Sequence, residues 1–269
     1  MRCVTATSRS GTTVAEHPRS DGSIEMPKSL ARMPARSVVL SVLLGAHPAW
    51  ASAAELIRLT NDFGIKETTL RVALTRMVSA GDLIRSADGY RLSDRLLARQ
   101  RRQDDAMRPQ LRPWHGYWTT LIVTSVGTEP RTRAALRTTL HNKRFGELRE
   151  GVWMRPDNLE LELDAQLRAR VRTMQARDDA PAELAGQLWD LPLWARTGQR
   201  LLTEMSEATD IPGRFVVAAA IVRHLLTDPV LPAELLPADW PGVRLRAAYN
   251  DFAAELTERR DGIRLVEAT

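Results

Sequence analysis

At 269 residues with 43% apolar composition, the chain is long enough to bury one large core or several small ones, and is not disordered overall. The longest apolar stretch, Ser37 to Ala46, is too short to span a bilayer, no secretory signal pattern opens the chain, and the single cysteine, Cys3, supports neither an intramolecular disulfide nor a Cys-based metal cluster. The formal charge of +5 is unevenly placed: Lys66 to Arg102 carries nine basic and four acidic residues, while Asp178 to the C-terminus carries nine arginines and fifteen carboxylates, so a cytoplasmic protein with a phosphate-seeking early segment is expected.

Residues 1–33 mix Ser, Thr, Gly, Pro and charges without apolar periodicity, which reads as a flexible leader. Ala35 to Leu44 then predicts an apolar helix stopped by Gly45 and His47-Pro48. Ser52-Ala-Ala-Glu55 is a capping box opening a second helix, with Ala53, Leu56, Ile57 and Thr60 as its expected inward face. Asn61-Asp-Phe-Gly-Ile65 makes the tight turn, Gly64 taking a positive φ while Phe63 and Ile65 pin the corner. The third helix, about Glu67 to Ala80, buries a stripe of Leu70, Ala73, Leu74, Met77 and Val78 and ends at Gly81. Ala87-Asp88-Gly89 between two short apolar-polar runs predicts a β-hairpin, so residues 34–93 read as a winged helix-turn-helix.

An arginine-rich helical linker follows over 94–113 and breaks at Pro109 to Pro113. In residues 114–177, Trp118 to Ser125 predicts a strand, Arg131 to His141 a helix, Phe145 to Met154 two strands around Glu150-Gly151, and Leu167 to Met174 a further strand. That order suits a ferredoxin-like α+β unit. Residues 178–269 read as a helical effector and dimerisation domain with proline-rich interruptions. The fold class is therefore α+β: winged helix-turn-helix, ferredoxin-like centre, helical C-terminal part.

The third helix carries the sharpest chemistry, because a major groove admits one helix whose arginines read guanine edges while threonines meet phosphates or thymine methyls. Lys66, Thr68, Thr69, Arg71, Thr75 and Arg76 are the expected DNA contacts, with Arg85 and Arg91 of the hairpin reaching backbone or minor groove. The competing reading is a solvated helix face in a protein-interaction module. Histidines 17, 47, 115, 141 and 224 lack ligand spacing, and no base-nucleophile pair, carboxylate pair or phosphate-binding glycine loop appears, so no catalytic residue, metal or cofactor is expected. A metal-dependent nuclease built on the central unit is the enzymatic alternative. The central unit resembles the ferredoxin-like fold of CRISPR-associated small nucleases, a resemblance that implies a metal-binding aspartate at the end of the first strand; here that strand ends Val123-Thr124-Ser125, with no carboxylate to serve as the ligand. Six of the seven tryptophans follow the hairpin, and Trp114, Trp118 and Trp153 are candidates to line an effector site, against the plainer reading that they are core.

These motifs resemble the PaaX-like transcriptional regulators, the phenylacetate-catabolism repressor family, over about residues 34–258. The resemblance rests on Thr69-Leu-Arg-Val-Ala-Leu-Thr-Arg76, Gly81-Asp-Leu83, Trp114-His-Gly-Tyr-Trp118, Gly151-Val-Trp-Met-Arg-Pro156 and, most specifically, the segment from Arg223 to Gly242. It implies a homodimeric repressor of a catabolic operon that binds double-stranded operator DNA and is released by an acyl-CoA thioester such as phenylacetyl-CoA. Such an effector needs cations and an apolar slot, which makes Arg223 and His224 with nearby tryptophans candidates; the alternative for Arg223 is an ion pair with Asp228 or another carboxylate.

Overall fold

The computed structural model describes residues 33–125, 129–160 and 162–267, with side chains as far as Arg259. The expected leader, with Cys3 and His17, therefore lies outside the described residues except for Met33. The N-terminal elements are α1 (Ala35–Gly45), a short β1 (Trp50–Ala51), α2 (Ala53–Asn61), α3 (Glu67–Ser79), β2 (Leu83–Arg85) and β3 (Tyr90–Leu92). The capping box forms: Glu55 N–H donates to Ser52 Oγ at 3.1 Å, and Ser52 N–H donates to Glu55 Oε2 at 2.7 Å. The inward face of α2 differs from expectation, since Glu55, Leu56, Leu59 and Thr60 are buried while Ala53 is exposed and Ile57 half-buried. The box turns Glu55 back into the protein and rotates the stripe accordingly. β1 was not expected; two residues are too few to show an alternation, yet Trp50 and Ala51 pair with Arg91 and Tyr90 to give the sheet order β1-β3-β2.

α4 (Asp94–Met107) leads to the central sheet of β4 (Trp118–Val123), β5 (Gly146–Arg149), β6 (Val152–Pro156) and β7 (Val171–Ala176), with α5 (Pro130–Asn142) and the single turn α6 (Ala165–Arg168) between strands. Strand order is β5-β6-β4-β7 with every pair antiparallel, the ferredoxin-like arrangement in which the first and third strands lie at the centre. The last strand begins later than the sequence suggested. Asp164 accepts from the Leu167 amide at 2.8 Å and so caps a helical turn where a strand was expected. One face of the sheet packs Leu121 and Trp153 against Leu136, Leu140 and Phe145; the other packs Trp118 and Met154 against Leu184, Ala185 and Leu191.

The C-terminal helices are α7 (Pro181–Leu188), α8 (Leu191–Glu207), α9 (Ile211–Leu225) and α10 (Gly242–Glu267). The proline interruptions become helix starts: Asp190 and Asp210 cap Leu193 and Gly213 at 2.9 and 2.7 Å, with Pro192 and Pro212 in the first turns where a missing N–H costs nothing. α8, α9 and α10 share one apolar core with α1 to α4, in which Leu43, Leu70, Leu74 and Met77 are continuous with Phe215, Ile221, Leu245 and Phe252. No described helix is long and apolar enough to cross a membrane.

Candidate nucleic-acid interface

The buried stripe of α3 is Leu70, Leu74 and Met77, with Ala73 and Val78 half-buried beside it. Because these positions recur every three to four residues, everything between them must point outward. Lys66, Thr68, Thr69, Arg71, Thr75 and Arg76 are all exposed, as is Val72 at 51%. An open cleft of about 700 Å³ runs along this face between α3 and α1, bordered by Arg36, Thr68, Thr69, Val72 and Arg76. Gly64 and Gly81 bracket the helix with φ of +65° and +69°, which side-chain-bearing residues reach only with strain.

Within this face the cations differ. Arg71 is held by Glu67 one turn earlier, Nε donating to Oε1 at 2.7 Å, so it must exchange that partner to reach a base or phosphate. Thr75 Oγ1 donates back to the Arg71 carbonyl at 3.0 Å. Lys66, Arg76, Arg85 and Arg91 have no ion-pair partner among the described residues. Arg85 and Arg91 are exposed on neighbouring strands of the wing, Ile84 lying opposite Arg91 and Arg85 opposite Tyr90.

Sequence reasoning missed the group that fixes this frame. Asp82, buried at the end of α3, accepts from Arg36 Nη2 of α1 at 2.8 Å and also from Arg95 of α4, tying the start of the wing to the helices on either side. Gln100 of α4 donates to the carbonyls of Leu43, Leu44 and Ala46 and thereby satisfies the open end of α1. The only forewarning in the sequence is the Gly81-Asp-Leu83 motif, which does not reveal that its aspartate is inside.

The effector candidates do not converge. Trp118 and Trp153 are buried on opposite faces of the central sheet and cannot line one site; Trp114 is half-buried and packs edge-on against Trp118. His224 is buried, stacked on Trp194 at 4.1 Å, with Nε2 at 3.0 Å from the Trp194 carbonyl, so that nitrogen carries the proton. Burial pushes its pKa down. Asp228 pairs with Arg246 at 2.7 Å, not with Arg223, because its turn directs the carboxylate into the protein; Asp228 Oδ1 also accepts from the Val230 amide. Arg223 is left exposed at the mouth of a cavity of about 130 Å³ between α1, α4, α9 and α10.

Residues 34–96 match the family model described as PaaX-like protein, residues 111–182 the PaaX protein central Cas2-like domain, and residues 194–263 the PaaX-like protein C-terminal domain. The solved structure of the uncharacterized protein Rv0674 from Mycobacterium tuberculosis is similar at a TM-score of 0.78, with 76% identity, over 87% of this chain and 99% of that one. No curated protein matches. With matches at both helical ends and across the central sheet, the chain belongs to the PaaX-like family of regulators.

Proposed function

We propose that this protein is a sequence-specific DNA-binding transcriptional regulator, a homodimeric repressor of a catabolic operon that an acyl-CoA thioester of the phenylacetyl-CoA kind releases. The observation that carries the reading is the exposed face of α3, with Thr68, Thr69, Arg71, Thr75 and Arg76 presented to solvent on a helix fixed by its buried stripe. In the dimer, two such helices enter successive major grooves about 34 Å apart. Arg85 and Arg91 supply backbone or minor-groove contacts from the wing, and the effector shifts the spacing or tilt of the two helices.

The test is fluorescence anisotropy of the full chain on the promoter of its own operon. Affinity is expected to fall steeply between 50 and 200 mM salt, as counterion release requires. Arg71→Ala and Arg76→Ala should each weaken operator binding by about tenfold or more, given ~1–3 kcal/mol for a good base contact, without changing the melting temperature. Unchanged affinity in both variants would remove α3 from this role. Salt-insensitive capture of a protein in place of a promoter shift would favour the interaction-module alternative.

A further inference from the structure

The cavity at Arg223 lies where the winged-helix half meets the C-terminal helices. Its apolar walls come from both sides: Leu44 and Leu59 from α1 and α2, Phe215 and Val222 from α9, Phe252 and Leu256 from α10. At about 130 Å³ it approaches the size of an apolar protein cavity, roughly 150 Å³, known to hold benzene. The space therefore accepts one ring or a short acyl chain.

The polar lining includes Arg99 and Gln103 of α4, Arg223 of α9 and Tyr249 of α10. Gln103 of α4 donates to the Tyr249 hydroxyl at 3.1 Å, and burial pushes the Tyr249 pKa up, so the phenol stays neutral and keeps its own proton for a ligand acceptor. Arg99 of α4 and Arg223 of α9 both line the space and are exposed, and neither has a hydrogen-bond or ion-pair partner among the described residues. No carboxylate lines the space among the described residues, and Asp104, whose charge reaches Tyr249, has His47 Nε2 3.3 Å from its Oδ1. Apolar walls capped by two uncommitted guanidinium groups and a neutral phenol select an amphipathic anion.

We infer that this cavity is the effector site: it takes a small aryl or acyl group between the winged helix and α9–α10, while Arg99 and Arg223 hold the ligand's anionic part. The anion is a free carboxylate or the phosphates of a CoA thioester, and the chemistry is shared. The inference rests on the effector-released repressor proposed above and adds where the effector binds and how it acts. A ligand here touches α1 and α4, which carry Arg36 and Arg95, and those two arginines hold Asp82 at the end of α3. Occupancy thus biases the position of the recognition helix relative to α9 and α10, the physical requirement for coupling two sites.

Calorimetry and operator anisotropy on the full chain, with phenylacetyl-CoA, phenylacetate and CoA as probes, test this. The expected result is binding of the thioester or the free acid with release of the operator, and weak or no binding of CoA, which lacks the apolar group. Arg99→Ala and Arg223→Ala, both surface changes, should weaken that binding by about tenfold or more. Ala219→Phe, which fills the space from α9, should abolish it; the ligand-free melting curve of each variant checks folding. Equal affinity of CoA and its thioester overturns the inference, as does release of the operator from all three variants at wild-type ligand concentration, which leaves the repressor reading intact. If the wild-type protein binds operator but none of the three probes, both the site and the thioester effector fall.

Discussion

At the scale of single residues, buried polar groups distinguish this molecule from a generic helical protein. Asp228 gathers the Arg246 guanidinium, the Val230 amide and, through its main-chain carbonyl, Arg144, while Asn158 donates to the Val230 carbonyl at 2.9 Å. Val230 sits at φ +54°, costly for a β-branched side chain, and these bonds hold it there. The Asp-Pro-Val segment, prominent in the sequence, is thus a joint between sheet and C-terminal helices. His224 makes a pH prediction. Its pKa, like that of His141, is lowered by burial, so below about pH 6.5 the unfolded chain binds protons that the folded chain refuses. Stability should be level above that pH and fall as pH drops toward 5.5. His224→Gln should flatten the decline, read as the difference in urea midpoint between pH 7.5 and 5.5.

At the scale of elements, the periodic segments were legible and the short ones were not. The stripe of α3 and its two bracketing glycines stand where 3.6-residue spacing puts them, because a long amphipathic helix declares its buried face many times over. β1 and α6 span two and four residues and depend on a partner strand and a capping aspartate respectively, which no window of periodicity reports. The wing glycine, Gly89, serves close packing as well as the turn. A Cβ on Gly89 would lie 2.3 Å from the Ala51 carbonyl oxygen, so glycine lets β1 approach the turn. Gly89→Ala should push the wing away from β1, lowering stability by ~1–3 kcal/mol in chemical denaturation and weakening operator binding while α3 stays helical by circular dichroism.

At the scale of the whole molecule, the winged helix does not own its core. Phe63, in the turn before α3, meets Phe215 of α9 edge-to-face at 4.9 Å, and Phe215 meets Phe252 of α10 at 6.4 Å. The apolar faces of α1 to α4 close on α8 to α10, so the N-terminal and C-terminal halves should unfold in one transition. Phe215→Ala should cost ~3–5 kcal/mol and speed hydrogen exchange in the α2–α3 turn as well as in α9. A change in exchange confined to α9 would show that the two halves are energetically separate.

The sequence by itself determined which helix faces outward, where the turns fall and that the centre is a four-stranded α+β unit, since each of these follows from local spacing and backbone preference repeated within one segment. Only the tertiary structure decided that Asp82 is a buried node, that Trp118 and Trp153 stand back to back, and that Arg99, Arg223 and Tyr249 surround one cavity. Those facts depend on separate segments meeting in space, Arg36 with Asp82 across 46 residues and Gln103 with Tyr249 across 146, and the energy of that meeting leaves no periodic trace in any one of them.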